Sequence, residues 1–422
     1  MLHIINNTSG VFTLYVYVNS GSIYEDQADY KGIDKKPPGI AHFLEHMVFK
    51  RSKDMTGKQV LEESTRIGAN LNAATDKDTT FFYIKTPTAN YKHAINLMAS
   101  ILVNPVFSKN DIDVERNVVI EEFMKTQDNS DKSMWNLAYM SVFAEDNPYM
   151  YSVIGTKDSL QSITIEQLRR CYKSMYGSYD IIVNCEKGVE KDVAAIVSRA
   201  FAPKLGVAPT RQPDACDSLE RKVYAIQDTT NQFQVSVTFP FAIDVTQKTL
   251  VTIEFISFVL TGARLYSTLI YELREKRGLI YSASSYVDTM RHVSIFNVFL
   301  SSSSKDILGL LSVVVDHIKR FSKKGVHGKR LRFYKSAFIN TLKMNMIDPD
   351  YCTMVAGTAL TTAGIKVTPH SLLEEAGKIT ASDVLEMCKR VLDFDKAGVV
   401  VVGPLKKDPT TMANSIMELL AR

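Results

Sequence analysis

Histidine, tryptophan and cysteine are scarce in this chain. Its 422 residues include eight histidines, five cysteines and one tryptophan. The cysteines are scattered, odd in number and never in the C-x-x-C spacing, which argues against thiolate zinc sites and redox motifs. The simplest interpretation of all five, Cys216 included, is a set of buried free thiols in a reducing compartment.

The chain also lacks an excess of charge of either sign and any long apolar run. Fifty basic and forty-six acidic residues leave a net charge of +4, so neither nucleic acid nor a membrane surface is expected as a partner. No apolar run approaches the roughly 18–20 residues of a membrane span. The N-terminus has neither a signal-peptide nor a transit-peptide pattern. We therefore expect a soluble intracellular protein, most simply a cytoplasmic one.

The order of predicted elements is repeated in the two halves of the chain. An alternating strand at Val11–Val18 has a counterpart at Gln232–Phe239. Each half ends in a capped helix, beginning at Thr164 or Thr380, that leads into an apolar strand. A proline-containing stretch, Phe201–Lys222, stands between the halves. Only MLHIINNTSG precedes the first clear strand.

This repetition predicts an α+β fold of two homologous domains that arose by internal duplication. Each would be an antiparallel sheet with helices on one face. We place the domains at residues 1–205 and 206–422. The alternative is that any two α+β domains look alike at this level of detail.

The stretch GIAHFLEHMVFK places two of the few histidines one helical turn apart. Residues i, i+3 and i+4 of a helix share a face, so His42, Glu45 and His46 point the same way. Two imidazoles so arranged can bind one Zn²⁺, with the carboxylate as general base. The order is that of inverted zincins, H-x-x-E-H. An ordinary helix with two incidental histidines remains the alternative.

Candidates for a third ligand lie on a predicted helix at Asp111–Asp128. Glu115 and Glu122 are seven residues apart and share a face beside an apolar stripe of Val118, Val119 and Phe123. Carboxylates in that position are costly unless they are paired or bind a cation. A solvated helix face is the better interpretation of Glu121. The residues alone leave both Glu115 and Glu122 open.

Five stretches resemble, in order and spacing, the pitrilysin-like M16 family of zinc peptidases. Its members carry H-x-x-E-H and a glutamate about 76 residues past the second histidine, and Glu122 stands at that distance from His46. The matching stretches are GIAHFLEHMVFK, GANLNAATDKDTTFFYIKT, ERNVVIEEF, YMYSVIGTKDSLQSITIEQLRRCYKSMYGSYDIIV and ARLYSTLIYELREKRGLIYSASS. The resemblance runs from about residue 11 to 403. It is to the short two-domain members, which include bacterial processing proteases and the catalytic subunit of mitochondrial processing peptidase.

The resemblance implies a role for each residue of the motif. His42, His46 and Glu122 would hold one Zn²⁺ per chain, which makes residues 1–205 the zinc-binding catalytic domain. Glu45 would be the general base towards a water activated by that zinc. Glu115 would orient a ligand histidine through its second ring nitrogen.

It also implies a substrate strand. Asn72, Ala73, Ala74 and Thr75 would lie on a sheet edge to which an extended peptide adds by backbone hydrogen bonds.

In the second domain, which has no H-x-x-E-H, the family carries an arginine and a tyrosine seven residues apart. They map onto Arg274 and Tyr281 and would hold substrate carbonyls and the developing oxyanion. In short members such a pair reaches the zinc domain of a partner subunit. A homodimer, or a heterodimer with a related subunit, is therefore implied, with the pair acting in cis or in trans. A surface ion pair for Arg274 and a half-buried core position for Tyr281 are the alternatives.

Three functions remain open on this basis. The first is a zinc metalloendopeptidase that hydrolyses short or unfolded polypeptide segments held in a chamber. The second is a non-catalytic structural or assembly subunit of the same family, and the third is a metal-binding module without peptidase activity. The presence of His42, Glu45, His46 and Glu122 together favours the first.

Overall fold

The computed structural model describes residues 1–26, 32–128, 130–202 and 217–421, so Cys216 and most of Phe201–Lys222 lie outside the described residues. The chain forms two compact units, and neither is a continuous half of it. The first comprises Met1–Asp128, Tyr151–Asp214 and Asn345–Pro369, and the second Asn129–Met150, Ala215–Met344 and His370–Arg422. Each unit therefore takes one segment from the other half of the sequence. The domain boundary at 205 and 206 stays a prediction.

The described residues form ten strands and sixteen α-helices. The strands are β1 Leu2–Asn7, β2 Val11–Val18, β3 Asn70–Thr75, β4 Thr80–Pro87, β5 Tyr179–Glu186, β6 Val223–Gln227, β7 Phe233–Phe241, β8 Ser282–Asp288, β9 Ser294–Ser302 and β10 Gly398–Gly403. The helices are α1 Ile40–Val48, α2 Gly57–Arg66, α3 Tyr91–Val103, α4 Lys109–Asp128, α5 Ser130–Met140, α6 Lys157–Ser162, α7 Ile165–Met175, α8 Glu190–Ala200, α9 Gln247–Ser257, α10 Thr268–Ile270, α11 Ile307–Lys324, α12 Gly328–Asn345, α13 Pro349–Ala363, α14 Pro369–Lys378, α15 Ala381–Val391 and α16 Pro409–Ala421.

The two sheets have the same strand order. The first runs β1-β5-β2-β4-β3 and the second β6-β10-β7-β9-β8, which confirms the predicted pair of α+β halves. Neighbouring strands are antiparallel except at one edge, where β1 pairs in parallel with β5 and β6 with β10. The stretch before Val11 thus contains a strand that the sequence did not reveal. Within β1 only Ile5 is fully buried, so no alternation marks it.

The central strand β2 is covered on both faces. Its even-numbered residues belong to the core beneath the helices. On the other face the Thr13 hydroxyl lies 2.8 Å from that of Thr353 on α13. Gly357 of the same helix lies against the Tyr17 ring, where a Cβ would come within 2.2 Å. The prediction that the helices lie on one face of the sheet is therefore incomplete, because α13 covers the other face.

Local signals read from the sequence agree with the structure in several places. Thr164 and Thr380 each cap a helix, and each forms a capping box with the residue three positions later. Four cysteines are buried free thiols, namely Cys171, Cys185, Cys352 and Cys388. Across the described ranges, no helix combines the length and apolar character needed to cross a bilayer.

Candidate metal centre

The start of α1 is fixed by a buried carboxylate and a close backbone contact. Gly39 precedes the helix with φ 86°, and a Cβ there would come within 2.4 Å of the Ile154 carbonyl oxygen. The Glu25 carboxylate accepts hydrogen bonds from the backbone N–H of Gly39 at 2.9 Å and of Ala41 at 2.7 Å. It therefore satisfies two donors that a helix start leaves open and matches the positive end of the helix dipole. Sequence reasoning missed Glu25 because it stands in a loop without a motif.

Two histidines of α1 and one glutamate of α4 converge. His42 Nε2 and His46 Nε2 lie 3.7 and 3.6 Å from Glu122 Oε2, and ligand atoms of the three residues lie within 4.8 Å of one another. Ligands about 2.0–2.1 Å from a tetrahedral zinc are separated by roughly 3.3–3.4 Å. The observed separations exceed good hydrogen-bond lengths and are close to that value. The donor set and its spacing therefore fit a zinc ion.

Glu115 holds one of these imidazoles in place. Its buried carboxylate lies 2.8 Å from His46 Nδ1 and also pairs with the Lys50 ammonium. With the Nδ1 proton donated to Glu115, Nε2 keeps its lone pair for a metal. Glu115 was expected to orient a ligand histidine through such a contact, and that role stays a prediction.

The charges around His46 perturb its titration. Burial alone would lower the pKa of the His46 ring, but the carboxylates of Glu115 and Glu122 outweigh this effect and raise it to about 9. Burial would raise the pKa of Glu115, but hydrogen bonds from His46 and Lys50 hold it below its usual range. The cluster therefore favours a positive charge at His46, which a proton or a metal cation supplies.

Glu45 lies beside the two histidines and accepts a hydrogen bond from the edge strand β3. Its side chain is buried, and Thr75 at the end of β3 donates its hydroxyl to Glu45 Oε2 at 2.6 Å. Burial raises the pKa of Glu45, while the Thr75 hydrogen bond opposes that rise. A carboxylate whose affinity for protons is raised in this way is suited to accept one during a reaction.

The predicted substrate strand is the last strand of the first sheet. Asn72, Ala73, Ala74 and Thr75 all lie on β3, which pairs on one side with β4. Asn72 is exposed, and its Oδ1 accepts a hydrogen bond from the Ala73 N–H at 2.9 Å. The predicted substrate segment therefore lies on the same edge strand as Thr75, whose hydroxyl binds Glu45.

The helix α4 differs from expectation in one detail. Val119 is fully buried and Phe123 is partly buried against the core, whereas Val118 is 47% exposed. Val118 therefore does not belong to the apolar stripe, because consecutive residues of a helix point about 100° apart. Glu121 is exposed, as expected, while Glu122 is only partly so.

Arg274 and Tyr281 belong to the second unit, whereas the metal cluster belongs to the first. Arg274 lies on a π-helical turn, Tyr271–Glu275, and its Nε is 3.8 Å from Glu275 Oε1. Tyr281 precedes β8 and is 71% exposed. The alternative of a half-buried core tyrosine was therefore wrong, and the ion pair of Arg274 is a long one.

Comparison with known proteins assigns the family. Residues 2–157 match the profile of Insulinase (Peptidase family M16), and residues 162–338 match that of the Peptidase M16 inactive domain. The chain belongs to peptidase family M16. The first match contains the whole His42, His46 and Glu122 cluster. The second contains Arg274 and Tyr281.

Named relatives in this family are zinc proteases and a processing subunit. The chain is 24% identical over 389 residues to an uncharacterized zinc protease of Rickettsia felis, covering 91% of this chain and 90% of that protein. It is 32% identical over 195 residues to the mitochondrial-processing peptidase subunit beta of Caenorhabditis elegans, covering 46% of this chain and 40% of that protein. The zinc in the name of the Rickettsia felis protein agrees with the donor set found here.

Two solved structures share the fold of this chain. A peptidase M16 inactive domain from Pseudomonas fluorescens aligns with a TM-score of 0.81 at 20% identity, covering 97% of this chain and 96% of that one. A protease from Helicobacter pylori aligns with a TM-score of 0.80 at 18% identity, covering 93% and 94%.

Proposed function

We propose that the chain is a zinc-dependent endopeptidase that cleaves short or unfolded polypeptide segments. The observation that carries this proposal is the cluster of His42, His46 and Glu122 with the buried carboxylate of Glu45 beside it. A zinc ion held by the three ligands would supply a Lewis acid and lower the pKa of water. Glu45 takes the proton from the attacking water and returns it to the leaving amine.

The surrounding residues keep this base and its ligands in position. Thr75 holds one oxygen of Glu45 through its hydroxyl, and Glu115 holds the ring of His46. Because Thr75 ends the edge strand β3, a peptide that adds to that edge brings its backbone towards Glu45. We assign Asn72, Ala73 and Ala74 to the same peptide-binding edge.

Arg274 and Tyr281 complete the proposal as substrate-holding residues. An exposed guanidinium and an exposed phenol can donate hydrogen bonds to substrate carbonyls and to the oxyanion of the transition state. We propose that they do so in a dimer, either within one chain or across to the partner subunit. Four buried free thiols fit a reducing compartment, and we therefore place the activity in the cytoplasm.

The test separates zinc binding from cleavage. Zinc content is measured by mass spectrometry and cleavage with a library of quenched fluorescent peptides. Glu45→Gln should keep stoichiometric zinc and lose about 10²–10⁴-fold in kcat/KM, whereas Glu122→Gln should lose zinc. Glu121→Gln, the same change one residue away on an exposed position, should alter neither.

The same measurements decide between the proposal and a non-catalytic subunit. A zinc-loaded wild-type chain that cleaves no peptide, alone or with a related subunit, would favour the structural role. Mixing Glu45→Gln chains with Arg274→Ala chains tests completion across a dimer. Recovered activity supports it, and the absence of recovery assigns the arginine to its own chain.

A further inference from the structure

A basic and aromatic cavity of about 760 Å³ lies within the second unit. Its size falls in the range of ligand pockets. Its walls are the end of α11, the start of α12 and the segment around α10. They carry five cations and one carboxylate: Lys276, Arg320, Lys324, Lys329, Arg330 and Glu272.

The positive charge of this cavity is largely uncompensated. Glu272 already pairs with Lys276 at 3.0 Å and with Arg277 at 2.9 Å. Within the described part of the chain, no carboxylate forms an ion pair with any of the other four cations, which are Arg320, Lys324, Lys329 and Arg330. Unpaired cations that line a concave surface raise the local concentration of anions.

A histidine in the wall adds no charge of its own to the cavity. Burial lowers the pKa of His317 to about 4, and the guanidinium groups of Arg320 and Arg330 contribute to the decrease. Its Nε2 lies 3.2 Å from the Thr268 hydroxyl. His317 is therefore neutral, and the charge of the cavity comes from its lysines and arginines.

Exposed aromatic side chains surround the opening. Tyr266, Tyr271 and Phe333 are 71%, 48% and 53% exposed, although each lines the cavity. Large apolar side chains gathered at a concave site are typical of an interaction surface. A ligand of this cavity therefore offers aromatic or aliphatic groups as well as negative charge.

One wall also has an unusual backbone. Two π-helical turns, Phe258–Gly262 and Tyr271–Glu275, flank it, and Arg264 between them has φ 53°. Single π-helical turns cost hydrogen-bond geometry and are frequent at functional sites.

We propose that this cavity binds an acidic polypeptide segment whose carboxylates alternate with aromatic or aliphatic residues. Arg320 and Lys324 are one helical turn apart, about 6 Å along α11. Side chains two residues apart in an extended peptide are about 6.6 Å apart, so two carboxylates can meet the two cations. Four cations of the cavity are spread over α11 and α12. This spread suits an extended segment with several carboxylates better than a phosphate, which is compact and would require the cations to point at one place. This binding does not depend on the peptidase activity.

The test measures peptide binding without cleavage. A fluorescein-labelled Gly-Asp-Phe-Asp-Phe-Glu-Gly peptide is titrated with full-length Glu45→Gln protein, and binding is followed by anisotropy. We expect it to bind at least tenfold more tightly than the peptide with Asn and Gln in place of Asp and Glu, and to weaken as salt rises. Arg320→Gln combined with Lys324→Gln should weaken binding about tenfold.

Matched controls keep the result specific. Lys323→Gln combined with Arg332→Gln removes the same charge from α11 and α12 outside the cavity and should change binding less than twofold. Phe333→Ser should weaken binding without changing the salt dependence. Equal binding of the charged and neutral peptides, or equal losses in both double variants, would overturn the proposal. Calorimetric binding of inorganic phosphate without binding of the acidic peptide would do the same.

Discussion

The hydrogen bond between Glu115 and His46 gives a sharp quantitative prediction for Glu115→Gln. The glutamine keeps an oxygen that can accept from His46 Nδ1, now 2.8 Å from the carboxylate, but it removes the charge. Hydrogen bonds to charged groups contribute about 1.5–3 kcal/mol and neutral ones about 0.5–1.5. Losing about 1.4 kcal/mol raises the dissociation constant of zinc about tenfold, which lies within the range known for such outer partners.

The loss should depend on pH in a defined direction. In the metal-free protein His46 has a pKa of about 9, so zinc must displace its proton below that pH. Glu115 helps to hold that proton, and Glu115→Gln therefore also weakens the competitor. The deficit in zinc affinity should be largest near pH 9.5 and smaller at pH 7, as measured by competition with a chromogenic chelator.

A carboxylate one helical turn earlier provides the control. Asp111 bonds Arg51 Nε at 3.1 Å and does not contact either histidine, so Asp111→Asn should leave zinc affinity within twofold of wild type. The reasoning is refuted by a Glu115→Gln protein that binds zinc like wild type at pH 9.5. An equal loss in Asp111→Asn would refute it as well, since the effect would then come from the charge of α4 in general.

Three further predictions concern stability, each followed by thermal or denaturant unfolding. Gly39→Ala should lower the free energy of unfolding by ~3 kcal/mol or more, because the new Cβ meets the Ile154 carbonyl oxygen. Gly68→Ala, at a residue with φ 61° and open space around it, should lower it by only ~1–2 kcal/mol. Equal losses in the two variants would contradict the clash at Gly39. Glu25→Ala should cost ~2–4 kcal/mol, since two backbone donors lose a charged acceptor, and an unchanged unfolding midpoint would argue against its capping role. In zinc-free protein the raised pKa of His46 should contribute up to ~3 kcal/mol to the free energy of unfolding below pH 6.5, and this contribution should disappear as the pH rises through about 9. The stability of His46→Gln should not show this decrease between pH 6.5 and 9.

The sequence predicted those features whose signals are local. The i, i+3 and i+4 spacing placed His42, Glu45 and His46 on one face, whereas the choice of Glu122 over Glu115 as third ligand came from the resemblance to the M16 family. The alternation of Val11–Val18 likewise predicted β2 at its observed bounds. The shared helix face and the strand each follow from the period of a single element.

The features that were missed depend on contacts distant in sequence. β1 is an edge strand paired in parallel, so neither face shows a clean alternation. The capping role of Glu25 becomes visible only when its loop meets the start of α1. Burial on both faces of β2 depends on α13, which lies more than 300 residues later in the chain.

The segment taken by each unit from the other half of the chain has a consequence for the origin of the duplication. α13 packs on β2 and β5 of the first sheet, and α5 packs on the equivalent strands, β7 and β10, of the second. The two helices occupy corresponding places in the repeats and are exchanged reciprocally, as in a domain-swapped dimer joined into one polypeptide. An ancestor with a single repeat could cover the same face of its sheet in this way only by exchanging the corresponding helix with a second copy of itself. A gene divided between the repeats today would yield two fragments, each with an uncovered sheet face, that become complete only together.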